Sequence, residues 1–305
     1  MKTSTLVGSL LGVTGLIGAS CVTYAMAIEN RAYLLRHATV PVLPPGHQPI
    51  RILHLSDLHL LASQTKKMAW VRALAHLRPD FLVNTGDNIA APSALQSLVH
   101  TFGPLMQAPA VFVLGSNDMY YPRPLNPLKY FVSRDHNYTA ATLPTAVLIR
   151  TLEDLGWTNA ERQRLVFRIK DSTIEVRGCG DAHMDIDDYD EVMGEPSQAD
   201  LLIGVTHAPY RRVLDQMVTD GAGLIFAGHT HGGQVCLPGN HALTTNCDLP
   251  REQAKGLSTH HLGQSSAYLH VSAGLGTSPY APYRFFCPPE ATLLTLTARP
   301  SEAHD

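Results

Sequence analysis

An α/β fold is the class this sequence predicts, on three observations. Short apolar runs rich in β-branched residues, each too short for a helix, recur at residues 50–55, 81–85, 111–114, 201–206 and 224–227. Segments with helical spacing, residues 66–77 and 210–219, stand between them. Each apolar run also stops at a polar turn, and in an open α/β sheet the crevice beyond the carboxyl ends of the strands is where ligands bind.

The remaining elements follow in chain order. Residues 29–48 contain Pro41, Pro44, Pro45 and Gly46 without sustained periodicity and read as a linker, so the predicted domain runs over residues 49–298 with a tail at 299–305. Residues 165–170 and 173–177, separated by Asp171-Ser172, read as a hairpin, and residues 268–272 and 291–297 as late strands. The aromatic and proline-rich stretch 119–145 has no clear element and reads as a long functional loop or cap. No repeat or low-complexity segment is visible.

After Lys2, residues 3–28 carry no charged side chain, enough for a helix to cross a hydrocarbon layer of roughly 30 Å. Residues 1–28 are therefore expected to be a transmembrane anchor or a signal sequence. Ala25-Met26-Ala27 fits a small-x-small cleavage site, but the run exceeds the roughly 7 to 15 residues of a signal core, which favours the uncleaved anchor. Basic residues flank both ends, so orientation stays open, with the extracytoplasmic side favoured. A formal charge of −3 from 23 basic and 26 acidic residues gives no reason to expect nucleic acid as a specific partner. Cys21 falls in the apolar run; Cys179, Cys236, Cys247 and Cys287 show no zinc-ribbon spacing and read as buried thiols, with a Cys236–Cys247 disulfide as the extracytoplasmic alternative.

The polar turns share one vocabulary. They read Ser56-Asp57-Leu58-His59, Gly86-Asp87-Asn88, Gly115-Ser116-Asn117-Asp118, His207, and Gly228-His229-Thr230-His231-Gly232-Gly233-Gln234. Together they offer carboxylates, imidazoles and an amide, hard or borderline ligands suited to Mn, Fe or Zn, and too many for one ion. A single histidine in a polar turn is ordinarily a surface or hydrogen-bonded residue; five strand ends carrying ligand types together are not explained that way.

The series DLH, GDN, GSND, THAP and GHTHGGQ resembles the calcineurin-like metallophosphoesterase superfamily, whose motifs run D-x-H, G-D-x, G-N-H-[DE], H and G-H-x-H, and GHTHGGQ looks like its membrane-associated bacterial phosphohydrolases. The resemblance spans residues 50–297. It implies a two-sheet β-sandwich flanked by helices, in four αββα layers, with two divalent metal ions at one edge. It implies Asp57, His59 and His231 on the first ion, His207 and His229 on the second and Asp87 between them, with a bridging hydroxide between cations about 4 Å apart attacking phosphorus in line. Asn88 is expected to orient ligands or a phosphate oxygen, or simply to form the turn.

GSND is a departure from that pattern. Without a gap, Ser116 stands for the ligating Asn and Asn117 for the His that donates a proton to the leaving group. A one-residue shift, preferred because an amide oxygen is the better neutral ligand, keeps Asn117 on the metal and puts Asp118 at the donor's place. Either way the imidazole acid is missing, which matters most for poor leaving groups. Diphosphates and activated phosphodiesters are thus expected over alkyl phosphomonoesters. His183 or Asp181, after the strand at 173–177, is a second candidate donor. Arg123, with Lys129, Arg134 and Arg284, is a candidate phosphate contact, and Tyr120, Tyr121, Tyr130 and Phe131 are candidate lipid or aromatic contacts, each against an ordinary solvated, ion-paired or packing role. The reading is a membrane-anchored metal-dependent phosphoesterase with a lipid- or nucleotide-like substrate. Its alternatives are a nuclease of the same superfamily and a degenerate metal-stabilised scaffold.

Overall fold

A computed structural model describes residues 14–124, 141–195, 197–239 and 241–300. The first half of the uncharged N-terminal run and the centre of the 119–145 loop, with Lys129, Tyr130, Phe131 and Arg134, lie outside the described residues.

Two six-stranded mixed sheets form the core. The first has the order β1-β14-β2-β3-β4-β5, with β1 at Leu34–Leu43, β2 at Ile50–Leu55, β3 at Phe81–Asn84, β4 at Ala110–Phe112, β5 at Trp157–Asn159 and β14 at Glu290–Ala298. The second has the order β12-β13-β9-β8-β7-β6, with β6 at Gln163–Ile169, β7 at Ser172–Gly178, β8 at Leu201–Val205, β9 at Leu224–Ala227, β12 at Gly256–Leu262 and β13 at Ser265–Val271. A short ribbon pairs β10, Cys236–Leu237, with β11, His241–Ala242. The period of two sends neighbouring strand residues to opposite faces. Ile52, Val83, Val111, Ile203, Val205 and Phe226 thus meet in a core between the sheets. Leu53, Leu55 and Leu82 turn outward onto helices α1 (Thr65–Ala73), α2 (Leu95–Phe102) and α3 (Thr145–Asp154).

Helix α4, Arg211–Thr219, covers the other sheet through Val213, Leu214, Met217 and Val218, an apolar stripe of helical spacing against Leu202, Ile225 and Val271. It ends at Gly221, φ +88°, where Ala222 N–H donates to the Met217 carbonyl and Gly221 N–H to Val218, the paired closure that needs a left-handed residue. The order of layers is helix, sheet, sheet, helix. The 163–178 hairpin, the helices near 66–77 and 210–219 and the late strands stand within a few residues of where the sequence puts them; α2, α3, β5 and β12 were not anticipated.

The linker reading of 29–48 is corrected in part. Residues 34–43 form β1, parallel to β14 with Val40 opposite Leu296, because Val40, Val42 and Leu43 reach the inter-sheet core. Pro41 is tolerated because β1 is an edge strand, and Pro44 and Pro45 lie beyond its end. Residues 14–23 are helical, continuing through Tyr24–Ile28 and Glu29–Arg31. Among the described residues no helix is long and apolar enough to cross a membrane. All five cysteines are free thiols, so Cys236 and Cys247 are not bridged.

Candidate metal centre

Strands β2, β3 and β4 run parallel in one sheet, and β7, β8 and β9 in the other. Their carboxyl ends therefore open onto one edge, carrying the turns at 56–59, 85–88, 115–118, 206–207 and 228–231 there. Asp57, His59, Asp87, His229 and His231 all adopt positive φ, between 42° and 67°. A non-glycine residue held there costs of order 1–3 kcal/mol and persists only where the surroundings impose it. Burying one Leu, Ile or Phe offsets such a cost, at about 1.5–3 kcal/mol, and two packed cores lie directly beneath these turns. Gly115 and Gly228 permit the crowding: a Cβ on Gly115 would collide with Asp87 Oδ1 and the His207 ring, and one on Gly228 with Ser56 Oγ and Asp57 Oδ2.

Asp57, His59, Asp87 and His231 each direct one donor atom into a common space, all within 4.8 Å of one another. His59 Nε2 faces His231 Nε2 at 3.1 Å and Asp87 Oδ2 at 3.4 Å, and His231 Nε2 lies 3.5 Å from Asp57 Oδ1. Nδ1 of His231 donates to the Gly276 carbonyl at 3.0 Å, which leaves its Nε2 a bare lone pair. Burial holds His59 well below the usual imidazole range and pushes His231 down to about 4, so both stay in the neutral, ligating form. Asp57 Oδ1 is buried with no hydrogen-bond partner. A cation answers both the bare His231 Nε2 and the orphaned carboxylate oxygen, so the donor set fits a divalent metal.

His207 also approaches Asp87, and its ring lies 5.3 Å from that of His229. His207 Nδ1 donates to the Thr85 carbonyl at 2.6 Å, and its Nε2, buried and without a hydrogen-bond partner, lies 3.7 Å from Asp87 Oδ2. Burial opposes charge on this ring, but Asp87, Asp181 and Asp57 outweigh it and raise His207 to about 10. Burial in turn raises the Asp87 carboxyl. His229 Nε2 is bonded to the Asn246 carbonyl at 3.2 Å, which leaves Nδ1 as the ring atom open to a cation. His183, one of the sequence-predicted donors, has its ring centroid 4.2 Å from that of His229, tilted by 44°, and pairs Nδ1 with the Tyr210 hydroxyl at 2.9 Å.

In the 115–118 turn, Asn117 lies against Asp87: its N–H donates to Oδ1 and its Nδ2 to Oδ2, both at 2.8 Å. Asp118 is fully buried, with one oxygen accepting from Asn88 N at 2.6 Å and the other from Gly115 N and Asn88 Nδ2. It caps the helical turn Ser116–Met119, so its expected place as proton donor is corrected. Asn88 is locked in the same buried network, its Oδ1 accepting from Asn84, which removes it from the substrate face. Arg284 is also fully buried, donating to the carbonyls of Ala273 and Gly276 at 2.7 Å and to that of His231 at 3.3 Å. It supports the His231 loop from behind and does not reach the open edge. Tyr120 pairs with Thr142 across an isolated bridge, and Arg123 is half-buried nearby. Asp181 holds the turn from below, accepting from Ser116 N and His183 N.

Sequence reasoning missed Asn246, Tyr210 and the buried Lys67, whose ammonium donates to the Leu58 carbonyl at 2.6 Å. Asn246 sits in an irregular loop with no periodic signal, and Lys67 reads as an ordinary surface position of a helix.

The calcineurin-like phosphoesterase family model matches residues 50–233. The chain belongs to that family. It is a metal-dependent phosphoric ester hydrolase by that membership. Among similar proteins, it is 28% identical over 305 residues to the uncharacterized protein YpbG of Bacillus subtilis, covering 97% of this chain and 98% of the relative. The uncharacterized metallophosphoesterase YkuE of the same organism is 25% identical, over 94% and 96% of the two chains. The UDP-2,3-diacylglucosamine pyrophosphatase LpxG of Chlamydia muridarum is 25% identical, over 96% and 99%.

Proposed function

We propose that this protein is a membrane-attached dinuclear phosphoesterase acting on a diphosphate or activated phosphodiester of lipid-like character. The observation that supports this is the cluster of Asp57, His59, Asp87 and His231, with His207 3.7 Å from Asp87 and the His229 ring 5.3 Å from that of His207. Two divalent cations, when bound, supply the Lewis acidity that activates water and neutralises charge on the phosphoryl oxygens. Asp87 is the residue shared between the two. Asn117, turned by half a rotation of its amide, presents Oδ1 where Nδ2 now meets Asp87.

Protonation of the leaving group separates substrates. General acid catalysis is worth about 10² to 10⁴ in rate, chiefly for basic leaving groups. Asn117 carries no titratable proton, and Asp118 has both oxygens engaged. His183 is the remaining candidate acid near the centre, its ring beside His229. A phosphate leaving group needs little protonation, in keeping with the pyrophosphatase activity in the name of the Chlamydia relative.

Membrane attachment rests on the uncharged run at residues 3–28 and on what its described end touches. Arg284 N donates to the Ala25 carbonyl at 3.1 Å, Asn30 Nδ2 to Pro282 at 3.1 Å, and Tyr24 meets the Phe285 ring edge-on at 6.1 Å. Phe285 N–H donates to Gln234, three residues beyond His231, so the loop of the centre and the N-terminal segment are adjacent. Leu16, Ile17, Val22, Met26 and Ile28 are exposed, with Phe286 and Tyr280 on the adjoining loop. An apolar rim of this kind favours a substrate presented at a bilayer surface.

The test is hydrolysis by the purified full chain with Mn²⁺. The account expects diphosphodiesters and aryl diesters to be cleaved at least about a hundredfold faster than alkyl phosphomonoesters. Comparable rates across leaving groups would remove the substrate argument while leaving the metal centre intact.

A further inference from the structure

Beneath Asp57 a line of buried side chains crosses from one sheet to the other. Ser56 Oγ donates to Asp57 Oδ2 at 2.5 Å, and Thr85 Oγ1 donates to Ser56 Oγ at 2.6 Å. His54 Nε2 lies 3.0 Å from Thr85 Oγ1, and His54 Nδ1 lies 2.8 Å from His270 Nδ1. His54 is on β2 and His270 on β13, so the line joins the two sheets. All five residues are at most 1% exposed.

The polarity of this line is determined by counting protons. A carboxylate oxygen only accepts, so the one Ser56 proton goes to Asp57. Ser56 must then accept from Thr85, whose own proton is spent in doing so. Thr85 must therefore accept from His54 Nε2–H. Burial lowers both imidazoles, His270 to about 3, so each is neutral and carries one ring proton. His54, with its proton on Nε2, has a bare Nδ1, and His270 must donate to it from Nδ1.

We propose that His270, His54, Thr85 and Ser56 form a one-directional hydrogen-bond line that positions Asp57 as a metal ligand, fixing Oδ2 inward and leaving Oδ1 free for the cation. The other observations agree. Asp57 Oδ2 also accepts from His229 N at 3.1 Å, whereas Oδ1 is buried without a partner. Gly228 passes so close to Ser56 Oγ, Asp57 Oδ2 and Thr85 Oγ1 that any side chain there would displace the line. Hydrogen bonds in such a chain polarise one another, and groups that orient a metal ligand from behind commonly control affinity about 10- to 100-fold. The four are positioning residues whose side chains act through Asp57; the Thr85 carbonyl, which holds His207, is untouched by a change of that side chain. The inference rests on Asp57 being a ligand, as proposed above.

The test uses the full chain stripped of metal, with Mn²⁺ binding followed by calorimetry. Thr85→Val cuts the line at its centre and is expected to weaken the tighter Mn²⁺ site about 10- to 100-fold. Thr85→Ser keeps both bonds and should stay within about twofold of wild type, while His270→Phe, which removes only the terminal donor, should fall between. ¹⁵N-histidine NMR of the metal-free wild type is expected to show neutral His54 protonated on Nε2 and neutral His270 protonated on Nδ1. Wild-type affinity in Thr85→Val, with a change in melting temperature alone, would overturn the inference, as would the opposite His54 tautomer. Failure of the wild type to bind Mn²⁺ would instead overturn the reading of Asp57. If Thr85→Val does not fold, the NMR assignment and the His270→Phe affinity decide.

Discussion

On one side of Asp87, the donor atoms of Asp57, His59 and His231 already share a space within 4.8 Å with that carboxylate, and backbone or hydroxyl partners fix both Asp57 and His231 from behind. On the other side, His207 reaches Asp87 only at 3.7 Å, and Asn117 spends its backbone N–H on one Asp87 oxygen and its side-chain amide on the other. The first half is assembled before a cation arrives; the second must release a proton and turn an amide to receive one. Preorganisation of this kind usually appears as affinity, because the ordering cost has been met in folding. The two halves are therefore expected to bind unequally, the His231 side tightly and the His207–His229 side weakly.

The largest effect expected is at the residue the halves share. Asp87→Ala should lower hydrolysis of an aryl phosphodiester by at least about 10³-fold at saturating Mn²⁺ while the far-ultraviolet circular dichroism is kept. A smaller loss would mean that one half works alone. Next comes the turn that departs from the family pattern. The double variant Ser116→Asn/Asn117→His restores both the amide and the imidazole of the family pattern and should raise kcat on alkyl phosphomonoesters about 10²-fold relative to aryl diesters; an equal change on both classes would place the proton donor elsewhere.

The halves can then be separated directly. His231→Ala should abolish the tight Mn²⁺ site, whereas His229→Ala should retain it and weaken only the second by at least about tenfold. The reverse order of losses in a calorimetric titration would invert the comparison. The smallest effect is in pH. His207 is raised to about 10, so in the metal-free protein it carries a proton at neutral pH that a cation must displace. Its contribution to stability is fully present below about 6.5, the unfolded value, and is lost as pH rises through about 10. Affinity for the weaker ion should therefore rise up to about tenfold per pH unit between 7 and 9, with proton uptake by the buffer. A flat profile would show that His207 is neutral at rest.

Most of the strand framework and every motif-bearing turn were legible in the sequence, because strand periodicity and ligand chemistry are local signals. Helices α2 and α3 were not, and β1 was hidden by Pro41, which an edge position accommodates. Asp118 was expected as proton donor from the shifted alignment, and Asn88 and Arg284 as phosphate contacts beside a turn-forming and an ion-pairing alternative. Their burial is decided by tertiary packing that no spacing rule encodes: Asn88 and Asp118 hold each other across 30 residues, and the 273–276 turn encloses Arg284. The same holds for His54 and His270, 216 residues apart in sequence and in contact only because β13 crosses behind β2.

Titration of the metal-free full chain with Mn²⁺, with hydrolysis of an aryl phosphodiester followed in parallel, tests the central claim most directly. The account predicts a tight first equivalent that leaves the protein nearly inactive and a weaker second that brings activity with it. Full activity at one equivalent, or two bound equivalents with no hydrolysis of any phosphoester, would contradict it.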